Sequence, residues 1–238
     1  MNLALFDLDN TLLRGDSDHA WGEFLVERGL VNSDEFRAKN DEFYGQYKTG
    51  TLDINAYLTF ALSAIAGKTT DEIAPLHDLF MQTKIESMIL DASWKLLEKH
   101  RNDLCVIVTA TNHFVTAPIA QHLGVPHLIA CDVEIVENRY TGRAIGTPSF
   151  QAGKVVRVEA WLKNMGKSIT DFEHSFFYSD SLNDLPLLNV VNRPVAVDPD
   201  PTLQAHAKAR GWPIISLRES AVASSILSSS STPADQSA

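Results

Sequence analysis

The stretch that starts the fold is a short apolar run followed by two aspartates, Leu3-Ala4-Leu5-Phe6-Asp7-Leu8-Asp9-Asn10-Thr11-Leu12. Four consecutive apolar residues predict a strand buried on both faces, as in a parallel sheet. Ligands of open α/β sheets bind beyond the carboxyl ends of such strands, where Asp7 and Asp9 follow. Two carboxylates suit a hard divalent cation, and a carboxylate is a competent nucleophile toward phosphorus. An isolated pair of this kind is also typical of a turn or helix cap.

Composition restricts the class of protein. The chain of 238 residues is 45% hydrophobic, which suffices for one α/β domain with or without an inserted module. Its net charge of −10, without a basic cluster, argues against a nucleic-acid partner. Cys105 and Cys131 lie in apolar runs and predict buried free thiols in a reducing compartment. With no signal-peptide pattern and no apolar run of membrane-spanning length, we expect a cytoplasmic protein that does not bind membranes.

The segment after the first strand is predicted to be helical. Helix patterns begin at four points, with no strand pattern among them, near Asp16, Ser33, Asp53 and Thr69. Thr69 and Glu72 have the spacing of a capping box. A βαβ crossover needs only one helix. We therefore predict an inserted all-helical module, a cap domain, over residues 16–87.

Strands and helices alternate in the rest of the chain. Strand patterns cover residues 104–108, 128–130, 133–136, 139–144, 175–178, 194–197 and 214–215. Glu137-Asn138 between two of them predicts a hairpin turn. The predicted fold is α/β, with a Rossmann-like parallel sheet built from residues 1–15 and 88–223. The Ser-rich segment 224–238 is predicted to be disordered.

A second stretch with residues suited to ligand binding is Val108-Thr109-Ala110-Thr111-Asn112, which ends a strand and opens a helix. A hydroxyl next to free backbone N–H groups at such a point forms a phosphate cradle. We expect the Thr109 hydroxyl and the Ala110 amide to be its donors. The alternative is that Thr109 or Thr111 only caps the helix.

Two further stretches supply a cation and more carboxylates. Lys154 follows Gly153 at a predicted helix start, where the helix dipole disfavours positive charge, so an anionic ligand is indicated. Most lysines, however, are solvated surface groups. Asp180 follows a buried aromatic strand as Asp7 follows its own strand, which predicts a shared metal site. Asp184 fits the same site or a helix cap equally well.

Together the four stretches resemble the motifs of the haloacid dehalogenase superfamily. They occur in the family's order, D-x-D-x-T, a strand-end Thr, Lys and D-x-x-x-D, and extend from Asp7 to Asp184. The helical insert resembles the C1 cap of subfamily IB, the phosphoserine-phosphatase-like branch. Y-S-D-S-x-N-D and V-T-A-T-N are similar to the subfamily that contains histidinol-phosphate phosphatases. Thr-Ala-Thr stands where phosphoserine phosphatases have Ser-Gly-Gly, which departs from a phosphoserine assignment.

The resemblance implies a role for each motif residue. Asp7 attacks phosphorus and forms an aspartyl-phosphate, and Asp9 protonates the leaving alkoxide and then activates water. The implied Mg²⁺ is held by Asp7, the Asp9 carbonyl and Asp180. The implied phosphoryl ligands are Thr109, the Ala110 amide and Lys154, and the residues that orient the metal site and the lysine are Asn183 and Asp184. An acid at Asp9 favours a phosphatase or phosphotransferase within the superfamily.

The substrate is predicted from the polar residues of the helical insert. Those expected to face it are Asp16, Asp18, Glu23, Arg37, Asn40, Asp41, Tyr44 and Tyr47. Each alone is more typical of a solvated helix face or a helix cap. Together the carboxylates favour a cationic leaving alcohol such as histidinol phosphate, which has an amine and an imidazole but no carboxylate. Phosphoserine would need a cation for its carboxylate, for which Arg37 is available.

We therefore expect a Mg²⁺-dependent phosphomonoesterase of amino-acid biosynthesis that acts on a small phosphorylated metabolite. Histidinol phosphate, and hence histidine biosynthesis, is the preferred substrate assignment. The alternatives are a phosphoserine phosphatase and a non-catalytic phospho-ligand-binding protein on the same fold. A monomer and a homodimer both remain open.

Overall fold

A seven-stranded sheet forms the centre of the molecule. The computed structural model describes residues 1–218, except for the side chain of Ser33. The strands lie in the order β4-β3-β2-β1-β5-β6-β7, and every neighbouring pair is parallel except β3 and β4. Their bounds are β1 Leu3–Phe6, β2 Leu104–Asn112, β3 His127–Val136, β4 Arg139–Ile145, β5 Ser175–Ser179, β6 Arg193–Val197 and β7 Ile214–Ile215. The predicted α/β fold with a mostly parallel sheet is confirmed.

Strand β1 lies between β2 and β5, at the middle of the sheet. All four of its residues have no solvent exposure, because helices cover both faces. Phe6 pairs with Ile107 on one side and with Tyr178 on the other. The carboxyl ends of these three strands therefore meet at one edge, which brings together segments far apart in the chain.

Nine helices are found among residues 1–218: α1 Ser17–Glu27, α2 Ser33–Thr49, α3 Ile54–Ser63, α4 Thr70–Phe80, α5 Asp91–Lys99, α6 His113–His122, α7 Ala152–Asn164, α8 Leu185–Leu188 and α9 Pro201–Arg210. A wide turn, Met81–Ile85, and a short 3-10 turn, Glu86–Met88, continue α4. The Thr69–Glu72 capping box is present at the start of α4, as predicted. No helix in this part of the chain is both long enough and apolar enough to cross a membrane.

Two strands are longer than the sequence patterns predict. Strand β2 continues beyond Val108 to Asn112, and β3 joins the two predicted segments into one strand through Cys131. The reason is that β3 changes partners, pairing with β2 first and with β4 afterwards. The predicted hairpin is present, and Glu137 and Asn138 both have positive φ, as a tight hairpin turn requires.

In the sequence, helices α1–α4 come after strand β1 and before the other strands. Their apolar faces pack against the core of the sheet. Trp21 of α1 stacks on His77 of α4 and meets the edge of Phe114 of α6, with ring centroids 5.6 and 5.0 Å apart. The packing attaches the helical insert to the sheet on the side of α6. The cap-domain bounds 16–87 stay a prediction, and the predicted disordered tail 224–238 lies outside the described residues.

Candidate active site

The turn after β1 directs two carboxylates to the carboxyl edge of the sheet. The chain leaves β1 through a tight turn, Leu8–Leu12, in which Asn10 adopts a φ of 58°. This turn lets Asp7 and Asp9 both face the interior, at 2% and 6% exposure. Burial of both members of the pair excludes the simple solvated-turn alternative, since an exposed turn would leave them in water.

Lys154 is the cation of the site and is itself only 1% exposed. Its Nζ donates to Asp7 Oδ1 at 2.9 Å and lies 2.7 Å from Asp184 Oδ1. Burial acts to lower the lysine's pKa, but the carboxylates of Asp184 and Asp7 outweigh it and raise the pKa above its usual range. The lysine is therefore charged, and it is not a solvated surface group.

The start of α7 is shaped to place this lysine. A Cβ on Gly153 would lie 2.1 Å from the Pro148 carbonyl oxygen, so only glycine fits there. Gln151 just before it has a φ of 47°, an uncommon conformation for a residue with a side chain. The Asp184 side chain binds Lys154 and accepts from the Ser179 hydroxyl at 2.7 Å. The alternative that it caps the following helix is wrong, because it makes no cap hydrogen bond.

Asp180 lies beside Asp7, and Thr11 connects the two. The Thr11 hydroxyl accepts from the Asp180 backbone N–H at 3.1 Å and lies 3.1 Å from Asp7 Oδ2 and 3.2 Å from Asp180 Oδ1. Burial raises the pKa of Asp180 well above its usual range, and the charge of Asp7 adds to this rise. Two buried carboxylates this close are costly when both are ionised, unless a cation offsets their charge.

The carboxylates of this site suit a hard cation that takes only a few of its ligands from protein side chains. Within residues 1–218, no three His, Cys, Asp or Glu side chains are arranged as a complete metal cage. Asp7 and Asp180 supply two carboxylates at one point, and backbone carbonyls of the turn after β1 are nearby in sequence. Mg²⁺ commonly uses one or two carboxylates and keeps several waters, so this sparse set suits it.

Asp9 occupies a different environment from Asp7. It accepts from the Ser17 backbone N–H at 2.6 Å and from the Thr111 hydroxyl at 2.7 Å, with the Thr109 hydroxyl at 3.4 Å. Burial raises its pKa to about 6, with a further contribution from the charge of Asp16. Burial also raises the pKa of Asp7 to about 7, although the charge of Lys154 opposes this. A carboxyl group with a pKa near 6 can donate and accept a proton near neutral pH.

The end of β2 supplies hydroxyl groups to the same edge. Thr109 is 1% exposed, and the pairing of β2 with β3 is interrupted between Val108 and Asn112, so Ala110 lies in an irregular part of the strand. Neither Thr109 nor Thr111 caps α6. Asn112 does so instead, because its side chain accepts from the Val115 N–H. The capping alternative for the two threonines is therefore wrong.

A narrow cavity of about 30 Å³ lies between this edge and the helical insert, with room for about one water molecule. The predicted residues that line it are Asp7, Asp9, Thr109, Ala110, Asp16, Asp18, Asn40, Tyr44 and Tyr47. The other lining residues are His19, Phe43, Leu52, Ile54, Tyr57 and Thr111. Of the described residues that line it, four are aspartates and none is Lys or Arg, so its field favours a cation.

The structure does not bring every predicted residue to the cavity. Arg37 pairs with Glu23 at 3.1 Å on the exposed surface, and neither lines the cavity. Asp41 is exposed and pairs with His19. Each of these side chains is paired with a residue of a neighbouring helix.

Asn183 binds residues other than Lys154, and its predicted support of the metal site stays a prediction. Its side-chain N–H donates to the Tyr47 carbonyl at 3.0 Å, and its Oδ1 accepts from Gln151 at 3.2 Å. These hydrogen bonds join the core to the end of α2, and of the two residues it is Asp184 that binds Lys154.

Sequence analysis missed several functional residues. Thr111 and Ser17 bind Asp9, while Asn112 donates to Asp18 Oδ1 at 3.3 Å. Tyr57 of α3, which has no predicted role, lines the cavity beside Asp18. The run Thr109-Ala110-Thr111-Asn112 at the end of β2, with three polar residues, is the feature of the sequence that points to Thr111 and Asn112. Local spacing does not tell which of them turn inward.

Comparison with known proteins supports the sequence resemblance. The model of haloacid dehalogenase-like hydrolases matches residues 4–189. A histidinol-phosphatase of Neisseria meningitidis serogroup C is 41% identical over 220 residues, covering 91% of this chain and 99% of that protein. A phosphoserine phosphatase of Mycobacterium tuberculosis, SerB1, is 30% identical and covers 90% of this chain and 70% of its own.

Solved structures agree in fold. A protein of unknown function from Bordetella pertussis Tohama I superposes with a TM-score of 0.85 at 48% identity, covering 90% of this chain and 98% of that one. A phosphoserine phosphatase with an analogue of the phospho-aspartyl intermediate has a TM-score of 0.65 at 16% identity, covering 95% and 97%. Since the family model spans more than half of the sequence and a full-length relative is 41% identical, the chain belongs to the haloacid dehalogenase-like hydrolase family.

Proposed function

We propose that this haloacid dehalogenase-like phosphatase hydrolyses histidinol phosphate to histidinol and inorganic phosphate, through an aspartyl-phosphate on Asp7. The observation that carries the substrate assignment is the charge of the cavity. Besides the proposed catalytic pair Asp7 and Asp9, two further aspartates, Asp16 and Asp18, line it, and no described Lys or Arg does. A leaving alcohol with an amine and an imidazole, and without a carboxylate, complements that field. The 41% identity to a histidinol-phosphatase supports the same assignment.

In the proposed first step, an Asp7 carboxylate oxygen attacks phosphorus and the bond to the leaving alkoxide breaks. Lys154, held 2.9 Å from Asp7, orients the nucleophile and offsets the negative charge of the phosphoryl group. Thr109 and the Ala110 amide, at the end of β2, are the groups proposed to bind phosphoryl oxygens. Phosphoryl transfer depends mainly on such positioning and charge stabilisation.

Asp9 is the proposed general acid and base. With its pKa raised to about 6, it can give a proton to the leaving alkoxide. The resulting carboxylate can then take a proton from the water that attacks the aspartyl-phosphate. The hydrogen bonds from Ser17 and Thr111 fix the direction of its carboxyl group through both steps.

Phosphatases of this family generally use Mg²⁺, and Asp7, Asp180 and the Asp9 carbonyl are the groups proposed to hold it here. When bound, Mg²⁺ supplies positive charge that reduces the repulsion between the nucleophile and the phosphate. Thr11 contributes by fixing the orientation of the Asp7 and Asp180 carboxylates.

The helices of residues 16–87 are proposed to act as a cap. The cavity of about 30 Å³ is far smaller than a phosphorylated metabolite, so the cap must move before the substrate can enter. Closure then excludes water from the aspartyl-phosphate until Asp9 directs one to it. We further propose a cytoplasmic location, which suits Cys105 and Cys131 as free thiols.

Phosphoserine is the weaker candidate. Its carboxylate would enter a cavity lined by four aspartates, and Arg37 is engaged with Glu23 on the exposed surface. Juxtaposed like charges disfavour a wrong ligand strongly, so we expect kcat/KM for histidinol phosphate to exceed that for phosphoserine about 100-fold or more.

The test is release of inorganic phosphate from a panel that includes both compounds and neutral phosphomonoesters, in Mg²⁺ and in EDTA. Asp7→Asn should abolish release while circular dichroism shows a retained fold. Asp78→Asn, which changes an exposed aspartate of α4, should keep wild-type rates. Phosphate release by Asp7→Asn would refute the nucleophile. Binding without turnover by the wild type would instead support the non-catalytic alternative.

A further inference from the structure

Asp18 is the most unusual carboxyl group of the cavity. It is 5% exposed, and its Oδ2 has no hydrogen-bond partner of good geometry among the described residues. Burial raises its pKa to about 8, and the charge of Asp16 adds to the rise. A buried acceptor without a partner costs stability, so it needs an explanation. None of the catalytic roles proposed above uses it.

Neighbouring residues orient this carboxyl group without satisfying it. Asn112 donates to Asp18 Oδ1 at 3.3 Å, and the other end of the same amide caps α6. The Tyr57 hydroxyl of α3 faces the carboxyl group from the insert. Oδ1 is thereby held by Asn112, while Oδ2 is left without a partner among the described residues, in a side chain that lines the cavity.

The position of Asp18 suits the leaving alcohol. Ser17, the chain neighbour of Asp18, donates to Asp9, the proposed acid for the leaving alkoxide, and so does Thr111, the chain neighbour of the Asn112 that binds Asp18. Asp16 is less suitable, because it caps α1 through the His19 N–H and has no buried oxygen without a partner among the described residues, as Asp18 has. Histidinol phosphate carries its amine on the carbon next to the one that bears the ester oxygen. An ammonium group there would lie close to the residue that protonates that oxygen.

We propose that Asp18 Oδ2 binds the ammonium group of the substrate and is the residue that makes the enzyme specific for phosphate esters of amino alcohols. This assignment rests on the proposed phosphatase function and deepens it. The ammonium supplies the missing donor to Oδ2 and the positive charge that this end of the cavity lacks. Asn112 is then a positioning residue, which acts only through Asp18.

The test compares two substrates that differ only in the amine, histidinol phosphate and its desamino analogue imidazolylpropyl phosphate. We expect wild-type kcat/KM to favour the amine about 30-fold or more, the effect of one buried charged hydrogen bond. Asp18→Asn, which keeps the shape and removes the charge, should reduce that ratio to near one. Asp18→Glu should keep part of it, and Asp78→Asn should keep all of it.

The wild-type ratio needs no variant, so it can overturn the assignment even if Asp18→Asn fails to fold, and the ratio in Asp18→Glu then tests the residue itself. An equal rate for the two compounds would overturn the Asp18 assignment and leave the phosphatase function standing. A preference that survives in folded Asp18→Asn would overturn it as well. Turnover of neither compound would end the histidinol phosphate proposal, and the ratio for ethanolamine phosphate against ethyl phosphate would then decide the role of Asp18.

Discussion

Replacement of Lys154 by Met gives the most direct test of the site's electrostatics. Lys154 is 1% exposed and lies between the carboxylates of Asp7 and Asp184, which are equally buried. Methionine has a similar length and no charge, so the variant removes the cation and leaves two buried carboxylates without it. Breaking a buried ion pair from one side costs about 3–5 kcal/mol, because the remaining charge keeps its desolvation penalty.

The loss of stability should depend on pH. In the metal-free protein burial raises the pKa of Asp7 to about 7 from an unfolded value near 3.8, and Lys154 opposes the rise. A carboxyl group whose folded-state pKa is above its unfolded-state pKa contributes its full stability to the folded protein below the unfolded-state pKa. That stability is lost as the pH rises through the folded-state pKa. Without the lysine the pKa of Asp7 rises further. The difference in unfolding free energy between wild type and Lys154→Met should therefore be largest at pH 8 and smaller at pH 5.

The assay is urea unfolding in EDTA at both pH values, followed by circular dichroism. Lys163→Met is the matched control, since Lys163 is exposed near the other end of α7, and it should change stability by at most about 0.5 kcal/mol. A loss below about 1 kcal/mol for Lys154→Met at pH 8 would refute the reasoning, because that value is typical of an exposed ion pair. Phosphate release should also fall in the variant, since the charge opposite the phosphoryl group is gone.

Three further predictions follow from the described contacts. Burial lowers the pKa of His77, so the stability that its neutral form contributes is present above pH 6.5 and is lost below that pH. The urea midpoint of His77→Phe should therefore fall less than that of the wild type between pH 7.5 and 5.5. An equal fall in both proteins would contradict this prediction. Asn183→Ala removes the bond to the Tyr47 carbonyl, so amide exchange at the end of α2 should quicken at a cost of about 1 kcal/mol, and unchanged protection would speak against the contact. Mg²⁺ should raise the melting temperature of the wild type and restore its activity after EDTA treatment, whereas Asp180→Asn should show neither effect. An equal rise in melting temperature in Asp180→Asn would exclude Asp180 from the proposed metal site.

The chemistry of three of the four core motifs could be predicted from the sequence because each of the three lies at the end of a strand. Parallel strands place their carboxyl ends at one edge, so Asp7, Thr109 and Asp180 must meet if the strands are neighbours. The role of Lys154 is harder to predict, because a lysine at the start of a helix by itself says little about whether it is buried. Its burial follows from the packing of α7, with Gly153 against Pro148, and a linear pattern does not contain that contact.

The helical insert could be predicted in outline but not in detail. Helix periodicity located its four helices and the Thr69 capping box. It did not separate Asp18, which turns inward to Asn112, from Glu23, which pairs outward with Arg37. Both lie on α1, and the direction of each depends on which distant element packs against it.

The sequence alone determined the alternation of strands and helices, the family of the chain and the residue types that can carry phosphoryl transfer, because these depend on local periodicity and on motifs at strand ends. The tertiary structure alone decided which polar side chains share the cavity. It placed Thr111 on Asp9, Asn183 on Tyr47, and Asp18 with one oxygen left unpaired. The physical reason is that burial and hydrogen-bond partners arise between segments far apart along the chain, so the energy of each buried group is set only when the sheet and the helices have packed.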